Sequence, residues 1–245
     1  MNLLKVELIK LLKKASTKVF LVMYGIILLG GALIYVIAES RFDLTIYSGS
    51  QFVGASLSTM MAFLLPLMTI YLAGSSQGID FSRGTMKNMY LLPISRTKLF
   101  ISKLLSVQVI VGSVMVAQFI ITLVVSISVD GFTFVSLGAI LMDYIGAFLI
   151  LGLVNIIGNV LSLLVKNVGL AIIIAYVGYI GLGILTLYVP SIRSISITNL
   201  INNYGNFLGG GAITMLLSTL AYYIILFITG LLLFEKKEES LCQFD

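Results

Sequence analysis

Residues Val168–Val189 read VGLAIIIAYVGYIGLGILTLYV, a run that contains no charged side chain. A membrane-spanning helix needs about 20 consecutive apolar residues to cross roughly 30 Å of hydrocarbon. This run is apolar on every side, whereas the strands of a membrane barrel alternate apolar and polar residues over about 10 positions. Because backbone amides in lipid must be hydrogen-bonded internally, the run predicts a transmembrane helix.

Apolar runs of similar length recur along the 245-residue chain. Only 10% of its residues are charged, against roughly 25% in soluble domains. The connections between the runs are too short to bury a core of their own, so residues 1–245 are predicted to form a single transmembrane domain. The runs predict an all-α membrane protein with six spans, approximately Val19–Ala38, Phe52–Gly74, Leu99–Val129, Phe134–Val165, Val168–Val189 and Ala212–Phe234.

Lysine and arginine predict the orientation of the spans. With the N-terminus inside, every basic residue except Arg41 and Arg193 falls on the cytoplasmic side. The positive-inside rule therefore predicts that both termini are cytoplasmic, including a charged tail at residues 235–245. The net charge of +5 is then a property of a protein embedded in a lipid bilayer, and no nucleic-acid partner is expected.

Residues 1–18 contain an amphipathic segment. Leu4, Leu8 and Leu11 recur at helical spacing, and lysines lie between them. The pattern predicts a helix in the inner membrane interface, with its lysines toward the lipid headgroups. The alternative is a positively charged flank that only orients the first span.

The cytoplasmic connection between the second and third spans is the most informative segment, and residues 78–103 read GIDFSRGTMKNMYLLPISRTKLFISK. Gly84 and Pro93 interrupt regular helix, so a short helical piece is expected to lie across the membrane surface between two bends. At the start of the third span, Arg96, Lys98 and Lys103 are expected to extend their side chains toward water, a behaviour called snorkelling.

Within the loop at residues 78–98, Asp80, Arg83 and Lys87 are spaced three or four apart. That spacing places them in one neighbourhood on a helix. From charge alone, an ordinary basic loop that obeys the positive-inside rule is the simpler interpretation. The order of the residues in the loop favours a more specific interpretation.

The order D-F-S-R-G-T, then L-P-I-S-R, then a lysine resembles the first cytoplasmic loop of ABC-2 type permeases, the membrane subunits of a class of ABC exporters. Asp80 stands where glutamate is usual in that family. The basic N-terminal helix, the six spans and the charged tail match the family in outline. The candidate ATPase-coupling residues are Asp80, Arg83, Gly84, Thr85, Lys87, Pro93, Ser95, Arg96 and Lys103.

The resemblance implies a permease that pairs with itself or with a related chain and sits on two copies of an ABC ATP-binding subunit. Its loop is expected to include a coupling helix that docks on the ATPase. The chain contains no GxxxxGK[S/T] loop, so it has no phosphate cradle of its own and is not expected to be an enzyme. It is expected to bind no cofactor itself, with ATP and Mg²⁺ held by the partner.

Polar residues inside the spans are the remaining candidates. Gln118 lies in the third span, and Asn155 and Asn159 lie four apart on one face of the fourth. Intramembrane polar groups are often functional, so these three side chains are candidates for a translocation path at the centre of a dimer. The alternative is hydrogen bonding between helices, at about 0.6 kcal/mol per contact.

Several other functions are disfavoured by composition. The chain has no histidine and a single cysteine, Cys242, so it lacks the usual acid–base catalyst, no metal site is expected, and an internal disulfide is excluded. Ion-coupled transport would normally use buried carboxylates, and Asp143 alone is a weak case.

The pattern is similar to permeases that serve peptide and bacteriocin efflux and immunity in Gram-positive bacteria. The resemblance implies an exporter of amphipathic peptides or other lipophilic cargo in a bacterial cytoplasmic membrane. The alternatives are efflux of drugs or lipids by the same architecture, and an ion-coupled secondary transporter.

Overall fold

The computed structural model describes residues 3–42, 49–82, 95–129, 137–165, 168–189, 196–205 and 212–242. Within these ranges the regular structure is entirely helical, as predicted. The helices are α1 (Leu3–Lys13), α2 (Ala15–Phe42), α3 (Gly49–Ala62), α4 (Leu64–Ser82), α5 (Arg96–Val129), α6 (Leu137–Leu164), α7 (Val168–Tyr188), α8 (Ile197–Asn202) and α9 (Ala212–Cys242).

Five of the described helices are individually long and apolar enough to cross a membrane, namely α2, α5, α6, α7 and α9. The predicted second span is divided between α3 and α4, which pass the same test together but are bent by 46°. The prediction of an all-α protein with six spans is therefore confirmed when the bent pair is counted as one broken span.

The bend between α3 and α4 has an identifiable cause. Pro66 has no N–H group, so it cannot donate the helical hydrogen bond that the carbonyl oxygen of Ala62 would otherwise accept. The hydroxyl group of Tyr179, in α7, donates to that carbonyl oxygen at 3.3 Å. A neighbouring span thus satisfies the backbone group that the proline leaves open, as a helix break in lipid requires.

Helix α6 lies at the centre of the bundle. Of its most apolar stretch, 67% is buried within the chain, against 11% for both α7 and α9, which face outward. Helix α4 is its most extensive neighbour, and the two approach closely at Gly158, where an added Cβ atom would lie 2.8 Å from the Cβ of Ala73. Small residues allow such close approach between membrane helices.

The connection between the fifth and sixth predicted spans contains the short helix α8, which the sequence did not predict. Ser196 caps it, since the Ser196 hydroxyl oxygen accepts from the N–H of Thr198 at 3.2 Å. The segment after α8 reaches Asp143 of α6, because a Cβ atom on Gly205 would lie 2.7 Å from the Asp143 Oδ1 atom. Asp143 thus lies against this connection, at the end of the bundle away from α1.

Candidate coupling site

Lys103 lies near the start of α5, where its side chain is fully buried. Its Nζ atom is 3.4 Å from the carboxylate oxygens of Glu7, in α1. The same Nζ atom donates to the backbone carbonyl oxygen of Ser76, in α4, at 2.9 Å. Glu7, Ser76 and Lys103 are called the clasp below, because they join three helices that meet beside the loop at residues 78–98.

The expectation that Lys103 snorkels toward water is wrong. Its side chain is 0% exposed, and that of Glu7 only 2%. Helix α1 folds back against the first turns of α5, so the route to water that a terminal lysine would normally take is occupied by protein. Glu7 carries a charge like the lysines of α1, but Glu7 and Leu11 are the residues that this helix buries.

The burial of the clasp has an energetic consequence. Removing an ammonium and a carboxylate from water is expensive, and only close pairing with further hydrogen bonds compensates for it. Loss of one partner from such a pair typically costs about 3–5 kcal/mol, since the other charge stays buried alone. The clasp therefore makes the burial of each charge depend on the presence of the other, while the cost of desolvation offsets much of their mutual attraction.

A chain of hydrogen bonds extends from the clasp into the bundle. The Ser76 hydroxyl, which donates to a carbonyl oxygen of its own helix at 2.9 Å, also lies 3.3 Å from Oδ1 of Asn159, and Nδ2 of Asn159 donates to Oδ1 of Asn155 at 2.8 Å. Nδ2 of Asn155 then donates to the carbonyl oxygen of Leu104, the residue after Lys103, at 2.9 Å. The structure therefore brings two candidate path residues into one network with a candidate coupling residue.

Gln118 lies apart from this network. Its Oε1 atom accepts a hydrogen bond from the hydroxyl of Tyr24, which links α5 to α2. Its Nε2 atom is buried with no hydrogen-bond partner among the described residues. The three candidate path residues are thus buried inside one chain, in two separate places.

The loop residues are only partly described. Ser95 and Arg96 are exposed at the start of α5. The backbone of Asp80 lies in the last turn of α4, and its side chain is outside the described part. The predicted coupling helix lies outside the described residues, together with Arg83, Gly84, Thr85, Lys87 and Pro93.

A cavity of about 250 Å³ opens between α2, α3 and α5. Its polar members are mainly the hydroxyls of Ser56, Thr59 and Thr122, each of which donates to a carbonyl oxygen of its own helix. Gly31 and Phe52 are among the apolar residues that complete the lining. The donors are therefore already satisfied within the protein, and the cavity offers an apolar surface.

Two residues of the clasp were missed by sequence reasoning. Glu7 is the one acidic residue in a lysine-rich helix, which is a signal that it has a specific partner, but its spacing does not identify Lys103. Ser76 contributes its backbone carbonyl, which leaves no mark in the sequence. No group of three metal-ligating side chains occurs in the part of the chain that the structure describes.

Comparison with known proteins identifies the family of the chain. Residues 3–183 match a family model described as ABC-2 family transporter protein, and the match includes α1, the clasp and the loop. No curated protein matches the chain. Membrane proteins of this family act with an ATPase subunit, which distinguishes the chain from an ion-coupled transporter. The chain belongs to the ABC-2 family of transporter proteins and is a multi-pass membrane permease of that family.

Proposed function

We propose that the chain is the permease of an ATP-driven exporter that moves amphipathic peptides or other lipophilic cargo out of the cell or the membrane. Two copies of a separate ATP-binding subunit hydrolyse ATP with Mg²⁺, and a second permease, identical or related, completes the complex. The membrane is a bacterial cytoplasmic membrane, as the resemblance to efflux permeases implies, and the distribution of lysine and arginine supports a topology with both termini cytoplasmic.

The observation that carries the choice of cargo is the cavity between α2, α3 and α5. Its hydroxyl protons are bonded to helix carbonyls, so the acceptor groups of a hydrophilic cargo would lose hydrogen bonds to water there without gaining a hydroxyl donor in return. An apolar side chain or acyl segment loses no such bonds. The cavity is open and lies beside the outward-facing residues of α2, which supports entry of cargo from the bilayer.

The clasp supports the proposed coupling. Movement of the loop at residues 78–98 acts first on the end of α4 and the start of α5, the helices that lead into and out of it. Because Lys103 ties both helices to Glu7, they move together with α1 instead of bending separately. Docking of the ATPase on the loop is thereby converted into a concerted movement of three helices.

The test is reconstitution of the permease with its co-purifying ATPase in proteoliposomes, followed by ATP-driven movement of a fluorescent amphipathic peptide, a lipophilic dye or a labelled lipid. Peptide transport is the expected result, whereas transport of dye or lipid alone would assign the cargo to the alternative class. Failure of any ATPase to co-purify from native membranes would contradict the proposal.

A matched pair of variants tests the cavity. Gly31 lines it and Gly30 does not, and an added Cβ atom meets nothing within 4 Å at either position. Gly31→Leu is expected to lower transport while Gly30→Leu leaves it unchanged, because only the first substitution fills the cavity. Equal effects of the two substitutions would show that the cavity is not part of the path that the cargo takes.

A further inference from the structure

A second cavity, of about 460 Å³, lies where α1, the beginning of α2 and the end of α4 meet. It differs from the first in chemistry, because lysines and serines dominate its lining. The lining residues are Glu7, Lys10, Leu11, Lys13, Lys14, Ala15, Ser16, Ser75 and Ser76.

The net charge of this basic cavity is positive. Lys10, Lys13 and Lys14 contribute three ammonium groups, and Glu7 contributes one carboxylate. That carboxylate is paired with Lys103 at 3.4 Å, so it does not cancel the charge of the lysines that face the cavity. The cavity therefore attracts an anion.

The start of α2 adds backbone N–H groups that could also donate hydrogen bonds to an anion. The first intrahelical hydrogen bond of α2 runs from the N–H of Lys18 to the carbonyl oxygen of Lys14, at 3.2 Å. Ala15 and Ser16 line the cavity, and their N–H groups precede that bond and have no acceptor within α2. Such N–H groups and the positive end of the helix dipole favour a phosphate or a carboxylate.

Tyr71 of α4 fixes part of this arrangement in place. Its ring stacks on Phe20 with centroids 4.4 Å apart, and its hydroxyl donates to the Ser16 hydroxyl oxygen. The bond uses a lone pair of Ser16, so that hydroxyl keeps its own proton for an acceptor in the cavity. The Lys14 Nζ atom lies 5.2 Å from the centre of the same ring. Two donors are thus positioned before any ligand arrives.

The surroundings favour a lipid as the source of the anion. On the outside of α1, Val6, Ile9 and Leu12 are spaced three apart and are between 38% and 44% exposed. This stripe is suited to contact with acyl chains, and a helix lying in the interface on this stripe would hold its lysines near the headgroups. Basic pockets between membrane helices bind anionic headgroups in the same way.

We infer that the basic cavity is a binding site for a phosphate group, carried by an anionic phospholipid of the surrounding leaflet. This site is separate from the transport path, and its occupancy does not depend on which cargo the permease moves. A bound headgroup joins α1 to α2 through the lysines, the Ser16 hydroxyl and the first N–H groups of α2, beside Ser75 and Ser76 of α4.

The test uses the full chain in a lipid-free detergent, with thermal unfolding and native mass spectrometry as readouts. Short-chain phosphatidylglycerol, short-chain phosphatidylcholine and inorganic phosphate are added separately. Phosphatidylglycerol is expected to raise the unfolding temperature and to stay bound, with phosphatidylcholine much weaker. Equal stabilisation by inorganic phosphate would keep the site and reassign its ligand to a soluble phosphate. Absence of any preference for phosphatidylglycerol over phosphatidylcholine would overturn the inference.

Two triple variants separate the cavity from general charge. Replacing Lys10, Lys13 and Lys14 by glutamine is expected to weaken phosphatidylglycerol binding roughly 100-fold, at about fivefold per lysine. Replacing Lys5, Lys18 and Lys236, which are exposed and outside the lining, removes equal charge and should leave binding nearly intact. Equal losses of phosphatidylglycerol binding in the two variants would overturn the inference that the cavity is the binding site. Ser16→Ala, which keeps all the charges, is expected to weaken binding severalfold and supplies a readout if the first triple variant does not fold.

Discussion

The Nζ atom of Lys103 lies 3.4 Å from the carboxylate of Glu7, 96 positions earlier in the chain, and both side chains are buried. A charge pair out of water stabilises only while both members are present. The N-terminal helix is therefore part of the bundle, and its docking is linked to the helices on either side of the proposed ATPase-contacting loop.

Lys103→Met is expected to destabilise the protein by about 3 kcal/mol or more, because Glu7 would remain buried without its counter-charge. The double variant with Glu7→Leu is expected to recover much of that loss, since no lone charge then remains. Thermal unfolding in detergent measures both. Lys98→Met, at an exposed position of the same helix, is the control and should be nearly neutral. Additive losses in the double variant would show that the pair is not coupled.

Asp80→Ala and Arg96→Ala are expected to leave membrane insertion intact but to separate ATP hydrolysis from transport. The reason is their place in the family-like loop, at the end of α4 and the start of α5. The measurement compares ATPase rate and cargo movement in the same proteoliposomes. Lys236→Ala, exposed near the end of α9, serves as the control. Transport at the wild-type rate in both loop variants would contradict the prediction.

Replacing Asn155 and Asn159 together by leucine distinguishes packing from a polar path. Both side chains are buried and hydrogen-bonded within the chain, so a fall in unfolding temperature with unchanged cargo range is expected. Each hydrogen bond that the leucines remove is expected to lower stability by about 0.6 kcal/mol. A changed cargo range at unchanged stability would instead place the two residues on the translocation path.

Gly158→Ala is expected to destabilise the bundle by about 1–3 kcal/mol, the usual result of overpacking. The added methyl group would lie 2.8 Å from the Cβ of Ala73 and 3.4 Å from backbone atoms of Ile70, so α4 and α6 must separate. Gly178→Ala is the matched control, because nothing lies within 4 Å of its added Cβ atom. Unfolding temperatures that fall equally in both variants would contradict this account of the helix packing.

Tyr179→Phe is expected to lower stability by about 0.6 kcal/mol through loss of the hydrogen bond to Ala62. In a Pro66→Ala background the same change should have a smaller effect, because the new N–H group of residue 66 supplies the carbonyl with a helical donor. A double-mutant cycle of unfolding temperatures measures the difference. An identical loss in both backgrounds would mean that Tyr179 does not compensate for the proline.

The amino-acid sequence determined the class of the protein, the number of spans and the family. Charge-free runs such as Val168–Val189 leave only a helix in lipid as a solution, and that argument needs no knowledge of neighbours. The loop at residues 78–98 similarly carries its pattern in consecutive residues, so it was recognisable before the fold was known.

Which faces of the helices meet was decided only by the tertiary structure. Lipid is as apolar as leucine, so a membrane helix carries little periodic pattern that would mark its buried side. Glycine at position 158 and proline at position 66 were visible in the sequence, but their partners Ala73 and Tyr179 were not.

The clasp is the clearest case of a contact that the sequence alone does not identify. A lysine near a helix end snorkels when water is in reach and pairs when protein covers it, and its own sequence position does not distinguish the two outcomes. The folding of α1 over the start of α5 makes Lys103 pair instead of snorkel, because that packing excludes water from Lys103 and brings Glu7 within 3.4 Å.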